Sequence, residues 1–202
     1  MLLTKTTKPV IIVITSKNGN PMHVLQWIAV KADNSYDPND IDTTKEEAFD
    51  IVKAKFEEMY SESEGLGGWS DWYVVGGGRY HYNPESQYEE NDHSMVISYG
   101  ENPELFTNTI SHAVEARLVE FNNYRKSYDE NNTDISNELD KYDGLTDYSF
   151  SLYPLAKMID MLQGKWDFNS YFYDLHNWST NPKFMLDNVS DSWYLVPVDF
   201  HF

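Results

Sequence analysis

Two segments carry side chains whose types and spacing could do chemistry. In the first, Trp69-Ser70-Asp71-Trp72-Tyr73-Val74-Val75 runs into Gly76-Gly77-Gly78-Arg79-Tyr80, with His81 next. Adjacent glycines weaken a strand. They persist where a bulge, or the close approach of another backbone or a ligand, needs the missing side chains. Backbone N–H groups exposed in such a turn can hold an anion, and the Arg79 guanidinium would add a two-pronged donor. The spacing is not that of a P-loop, since no Gly-Lys-Ser/Thr follows, nor a dinucleotide fingerprint, since G-x-G-x-x-G is absent. Two readings stand: a structural bulge, or a phosphate or nucleotide site built from Gly76, Gly77, Gly78 and Arg79, with His81 on the same face as Arg79.

The second segment is Val198-Asp199-Phe200-His201-Phe202. On a strand Asp199 and His201 project to one face. A carboxylate beside an imidazole can orient a general base or share a metal, and it equally fits an ion pair at a chain end. The other histidines, His23, His93, His112 and His176, show no H-E-x-x-H or similar spacing, and G-x-S-x-G is absent. No catalytic residue, metal or cofactor is assigned. The chain has no cysteine, which excludes a disulfide framework, a thiolate zinc site and a cysteine nucleophile, and fits a reducing cytoplasm.

These segments must be held by the elements around them. Val10 to Ile14 is a β-branched run that reads as a strand buried on both faces, turned at Lys17 to Pro21 into a return strand over His23 to Lys31. Thr43 or Thr44 caps a helix to about Tyr60, with Glu46 and Glu47 in its first turn and Phe49, Val52, Phe56 and Met59 as its apolar stripe. Asp71 to Tyr82 reads as a strand broken by the glycines, and Ser94 to Tyr99 as another. Pro103 opens a long helix to about Tyr128, with Leu105, Ile110, Val114, Leu118 and Phe121 expected inward. Leu152 to Gln163 is a short helix, Ser170 to Leu175 a strand, Lys183 to Val189 a helical turn or two, and Trp193 to Phe202 a strand that Pro197 places at an edge or bulge. The order predicts one α+β domain over residues 1–202, a mostly antiparallel sheet packed on two or three helices, with a ferredoxin-like arrangement as one option.

Charge limits the partners. Fifteen Lys and Arg stand against 33 Asp and Glu, a net charge of −18. Affinity for nucleic acid comes mostly from Lys and Arg displacing counterions, so this chain does not grip nucleic acid by charge. The acids thicken from Asp33 to Glu64 and again over 129–147, read as an acidic insertion or loop, where Asp129, Glu130, Asp134, Glu138, Asp140, Asp143 and Asp147 face only Lys141. The apolar run Pro9 to Ile14 is far too short to span a membrane and follows a polar leader, so neither a span nor a signal peptide is expected.

The two motif-bearing segments together resemble a family of uncharacterised proteins associated mainly with tailed bacteriophage genomes. Asp71 to Tyr80 is similar to its D-W/Y-Y-x-I/V-G-G-R-W element, and Trp193 to Phe202 to its terminal V-D-C-H-I. This chain has one extra glycine, Tyr80 for the tryptophan and Phe200 for the cysteine, which leaves open which of Gly76 to Gly78 matches which. The family has no agreed activity. The resemblance implies a protein at work in the host cytoplasm during infection. On that basis the expected function is an acidic, non-enzymatic binder or inhibitor of a basic host protein, such as a nucleic-acid-processing or anti-phage defence enzyme, with Asp129, Glu130, Asp134, Glu138, Asp140 and Asp143 facing the partner. The alternative is a small-molecule binder or hydrolase using Gly76 to Arg79, with His81, Asp199 and His201 nearby. A minor structural protein of the virion is the second alternative, which the lack of repeats or a coiled coil disfavours.

Overall fold

A computed structural model describes residues 23–33, 37–63, 72–81, 92–131, 134–140 and 150–201. Its fold is α+β. Five strands, β1 (His23–Lys31), β2 (Trp72–Val75), β3 (Ile97–Ser98), β4 (Phe172–Asp174) and β5 (Trp193–His201), form one sheet. Among the described residues five α-helices accompany them: α1 (Ile41–Ser63), α2 (Pro103–Glu130), α3 (Ile135–Asp140), α4 (Tyr153–Leu162) and α5 (Lys183–Leu186).

The sheet is organised around β1 and β5, which pair antiparallel from His23 opposite His201 to Lys31 opposite Trp193. β4 lies beyond β1 and runs parallel to it, while β2 and β3 both pair antiparallel with the other edge of β5. The sheet is therefore mixed, antiparallel apart from the β1–β4 pair, and its strand order does not establish a ferredoxin-like arrangement. The expected strand over Val10 to Ile14 and its turn at Lys17 to Pro21 lie outside the described residues, as do Asp71, Tyr82 and Asp143.

Alternation along the strands feeds two cores. Ile28, Val30, Val196, Val198 and Phe200 face α1, whose Ala48, Phe49, Val52 and Phe56 are buried against them. Trp27, Ala29, Trp193 and Leu195 face α2 through Phe106, Ile110 and Ala113. The α1 stripe is the expected one, but the helix begins at Ile41. Thr44 thus lies inside it, its hydroxyl donating to the Ile41 carbonyl at 3.0 Å, and the first-turn acid is Asp42 rather than Glu46 or Glu47.

Two further expectations change. β5 is interior, not an edge, and its proline is tolerated for a reason in the register. Trp27, opposite Pro197, donates its N–H to Tyr171 on the β4 side, so the Trp27–Pro197 pair is one that exchanges no hydrogen bonds. The missing N–H of Pro197 therefore faces the gap between β2 and β3, where its carbonyl accepts the Gly76 N–H at 2.8 Å. On α2 the buried residues are Phe106, Thr109, Ile110 and Ala113, whereas Val114 and Leu118 are exposed. The strand expected over Ser94 to Tyr99 contracts to Ile97–Ser98. It follows a 3₁₀ turn, His93–Met95, whose start is capped by the Asp92 carboxylate accepting the Ser94 N–H at 2.9 Å.

Candidate functional site

The glycine run and the chain's last strand meet. β2 stops at Val75 because Gly76, Gly77 and Gly78 all take positive φ, 96°, 102° and 48°, which side-chain-bearing residues adopt only with strain. The chain then makes a 3₁₀ turn, Gly78–Tyr80, folded back over β5. There the Arg79 N–H donates to Asp199 Oδ2 at 3.0 Å. A Cβ on Gly78 would lie 2.6 Å from that same oxygen and 2.7 Å from the Asp199 Cβ. The amide that would meet a phosphate meets a carboxyl oxygen of the protein itself, that of Asp199.

Asp199 has a second partner that sequence reasoning missed. His23 Nδ1 lies 3.1 and 3.2 Å from the two carboxylate oxygens. The strand register explains the meeting: His23, Asp199, His201 and Trp72 all sit on the α2 side of the sheet, with His23, His201 and Trp72 in one rung across β1, β5 and β2. His23 is 3% exposed and Asp199 0%. The Trp72 indole stacks on His201, with centroids 5.1 Å apart and planes 9° apart, and both rings meet His23 edge-on, at 5.2 and 4.9 Å. Asp199 and His201 thus share a face as expected, but the carboxylate pairs with His23, not His201.

Burial lowers the His23 pKa below its ordinary value, Asp199 acting against this, and burial raises that of Asp199, the Arg79 N–H and His23 acting against it. When Asp199 is ionised it only accepts, and Nδ1 then carries the imidazole proton. Nε2 is buried and makes no hydrogen bond among the described residues. Chemically this is a neutral imidazole oriented by a carboxylate, the arrangement of a general base, but enclosed by the rings of Trp72 and His201. Tyr80 closes it further, its hydroxyl donating to the His23 carbonyl at 2.9 Å. His81 goes elsewhere: it is buried, with Nε2 3.1 Å from Ser94 Oγ and 3.6 Å from Asp92 Oδ1. Among the described residues no three His, Asp or Glu side chains converge as a metal site.

The residues expected to face a partner sit at the end of α2 and on α3. Asp129, Glu130, Asp134 and Asp140 are exposed and Glu138 half-buried. Glu130 lies 3.7 Å from Lys126, and Asp134 accepts the Ser136 N–H at 3.0 Å, capping the start of α3.

A second surface stands out on α2 and α4. Past Ala113, α2 packs on α4, where the Arg117 guanidinium donates to the Met161 carbonyl at 2.9 Å and the Thr180 carbonyl at 3.2 Å. A cation there satisfies the Met161 carbonyl at the negative end of α4. Val114, Arg117, Leu118, Phe121, Met161 and Leu162 line a groove of about 300 Å³ between the two helices. Leu118 is 57% exposed and Leu162 76%, with Val119 and Ile159 also open to solvent. Among the described residues no helix is long and apolar enough to cross a membrane. Comparison with protein families, with curated proteins and with solved structures finds no match for this chain.

Proposed function

We propose that this chain is a bacteriophage accessory protein that binds a basic bacterial protein and docks it on the α2–α4 face, without chemistry of its own. The observation that carries the reading is the apolar strip that α2 and α4 leave to solvent. Exposed apolar groups gathered around a groove mark interaction sites more often than scattered ones do. Charge selects the partner. The net charge is −18, and helical spacing puts Val114, Leu118, Arg125 and Asp129 on one face of α2, with Glu115 beside them. Two cations lie at that face, Arg125 and the groove-lining Arg117, whose guanidinium is turned onto the Met161 and Thr180 carbonyls. An amphipathic segment with apolar anchors flanked by Lys and Arg is the complement. The buried His23–Asp199 pair supports the non-enzymatic part of the reading: both side chains are engaged in joining β1, β5 and the glycine turn.

The test is capture from a bacterial lysate by the tagged chain and by Leu118→Glu, with salt varied. The expected result is one stoichiometric basic protein, released as salt rises and not captured by Leu118→Glu. Equal capture by the variant sinks the reading. So does sedimentation showing a dimer that Leu118→Glu converts to monomer, because the face would then be covered by a second copy.

A further inference from the structure

A separate cleft lies at the carboxyl ends of the only parallel strand pair among the described residues, β1 and β4. Crevices outside the carboxyl ends of parallel strands are where α/β sheets commonly bind ligands. Lys31 ends β1, Leu175 and His176 follow β4, and Ile51, Ala54, Lys55 and Glu58 of α1 form the opposite wall of a space of about 460 Å³. That falls in the range of small-molecule sites, roughly 300–1,000 Å³. On a chain with 15 cations against 33 acids, two lysines meet at this cleft. Lys55 is paired with Glu58 at 2.6 Å. Lys31 is exposed and makes no ion pair among the described residues.

The cleft has an aromatic flank held there against local preference. Trp178 takes φ 53°, the left-handed region that a bulky side chain avoids, and is 59% exposed. Its ring lies 5.3 Å from the Lys55 ammonium. Asp174 enforces the conformation. Its fully buried carboxylate accepts the His176 and Asn177 N–H groups at 2.9 and 3.0 Å and the Asn177 side-chain amide at 2.6 Å. The backbones of Asp174 and Ser179 close the loop through reciprocal hydrogen bonds of 2.8 and 3.2 Å. A buried charge and a strained backbone thus combine to hold a tryptophan in solvent at the edge of a cationic cleft. Strain that the surroundings over-determine gathers at binding sites.

We propose that this cleft binds a planar aromatic anion of the nucleoside monophosphate class. Its ring lies on Trp178, and its phosphate is met by Lys31 and by Lys55, which exchanges Glu58 for the ligand. The arrangement needs both halves of the ligand, because neither a lone ring nor a lone phosphate meets Trp178 and the lysines together.

Calorimetric titration of the full chain with adenosine monophosphate tests this, with adenosine and ribose 5-phosphate as the two half-ligands. The expected result is saturable binding of the nucleotide, at least tenfold tighter than either half. Trp178→Ala and Lys31→Glu each weaken it about tenfold or more, and Glu58→Gln tightens it. A second measurement reads the strain: Trp178→Gly raises the thermal midpoint while weakening nucleotide binding as Trp178→Ala does. No saturable heat up to about 10 mM nucleotide overturns the proposal. So does unchanged affinity in Trp178→Ala, or a lowered midpoint in Trp178→Gly.

Discussion

At the scale of single residues, the contact between Gly78 and Asp199 fixes what each can be. Any side chain at position 78 meets the Asp199 carboxylate and must also adopt φ 48°. Gly78→Ala is expected to cost about 2–4 kcal/mol, the sum of a left-handed backbone and an overpacked site, read as a shift in the urea midpoint. A variant as stable as the parent would mean that the turn does not sit on β5 as described. The neighbouring imidazole predicts a pH dependence. Burial keeps His23 neutral below its ordinary value of 6.5. As pH falls through 6.5, the unfolded chain binds a proton at His23 that the folded chain does not, so stability falls. Asp199 acts with the opposite sign in a lower window, above its ordinary 3.8, where the folded chain keeps a proton that the unfolded chain has released. Urea titrations from roughly pH 7.5 to 5.5 should show the parent losing more stability than His23→Gln, and parallel curves would remove His23 from the account. The sequence made part of this legible. Asp199 and His201 share a face because strand spacing requires it, and the glycines mark either a bulge or a turn where another group comes close. That the close group is Asp199 was not legible, because residues 78 and 199 meet only through the β2–β5 register. His23 carried no local signal. For Trp178 one was available: Asp174, two residues before His176 and three before Asn177, has the spacing of a side chain capping its own loop.

At the scale of elements, α2 decides the most. Apolar residues at 105, 110, 114, 118 and 121 read as one inward stripe, and the helix buries 106, 109, 110 and 113 instead. The sequence pattern was real but incomplete. Thr109 and Ala113 complete the buried face although neither is strongly apolar, so hydropathy alone rotated the helix toward Val114 and Leu118. The helix also outruns the sheet, and its later turns meet α4 and the segments on either side of β4: Arg117 donates to the Met161 and Thr180 carbonyls, and the Tyr124 hydroxyl accepts from the Asn169 side-chain amide at 2.9 Å. Periodicity cannot distinguish apolar residues kept for the core from apolar residues kept for something else. Substitution can. Ile110→Ala should cost about 2–5 kcal/mol as a core truncation, while Leu118→Glu should change stability by no more than about 0.5 kcal/mol. Equal losses at the two positions, measured by chemical denaturation, would mean that Leu118 belongs to the core and that the α2–α4 face is not a docking surface. By contrast, the stripe of α1 and the bounds of β1 are legible in the sequence, because α1 is strongly periodic and β1 is buried over most of its length.

At the scale of the whole molecule, the net charge of −18 acts on folding and on binding with opposite signs. Within the chain, like charges repel, and compaction brings them closer, so the charge destabilises the folded state. Between the chain and a basic partner, the same charge attracts and steers. Salt screens both, with a Debye length of about 10 Å at 0.1 M and about 3 Å at 1 M. Raising sodium chloride should therefore raise the urea midpoint of the isolated chain over the same range in which it releases the captured partner. Buried contacts such as His23–Asp199 lie within hydrogen-bonding distance and out of reach of solvent ions, so they contribute little to this trend. The exposed carboxylates of α1, α2 and α3 dominate it. The apolar groove sets a limit on the salt effect: Leu118 and Leu162 keep their contribution at high salt, so affinity should fall to a plateau rather than to zero, and Leu118→Glu should remove the plateau. A fully salt-labile complex would assign the binding to charge alone. A salt-insensitive one would leave the acidity as a matter of solubility, and the partner's basic character would no longer follow from it.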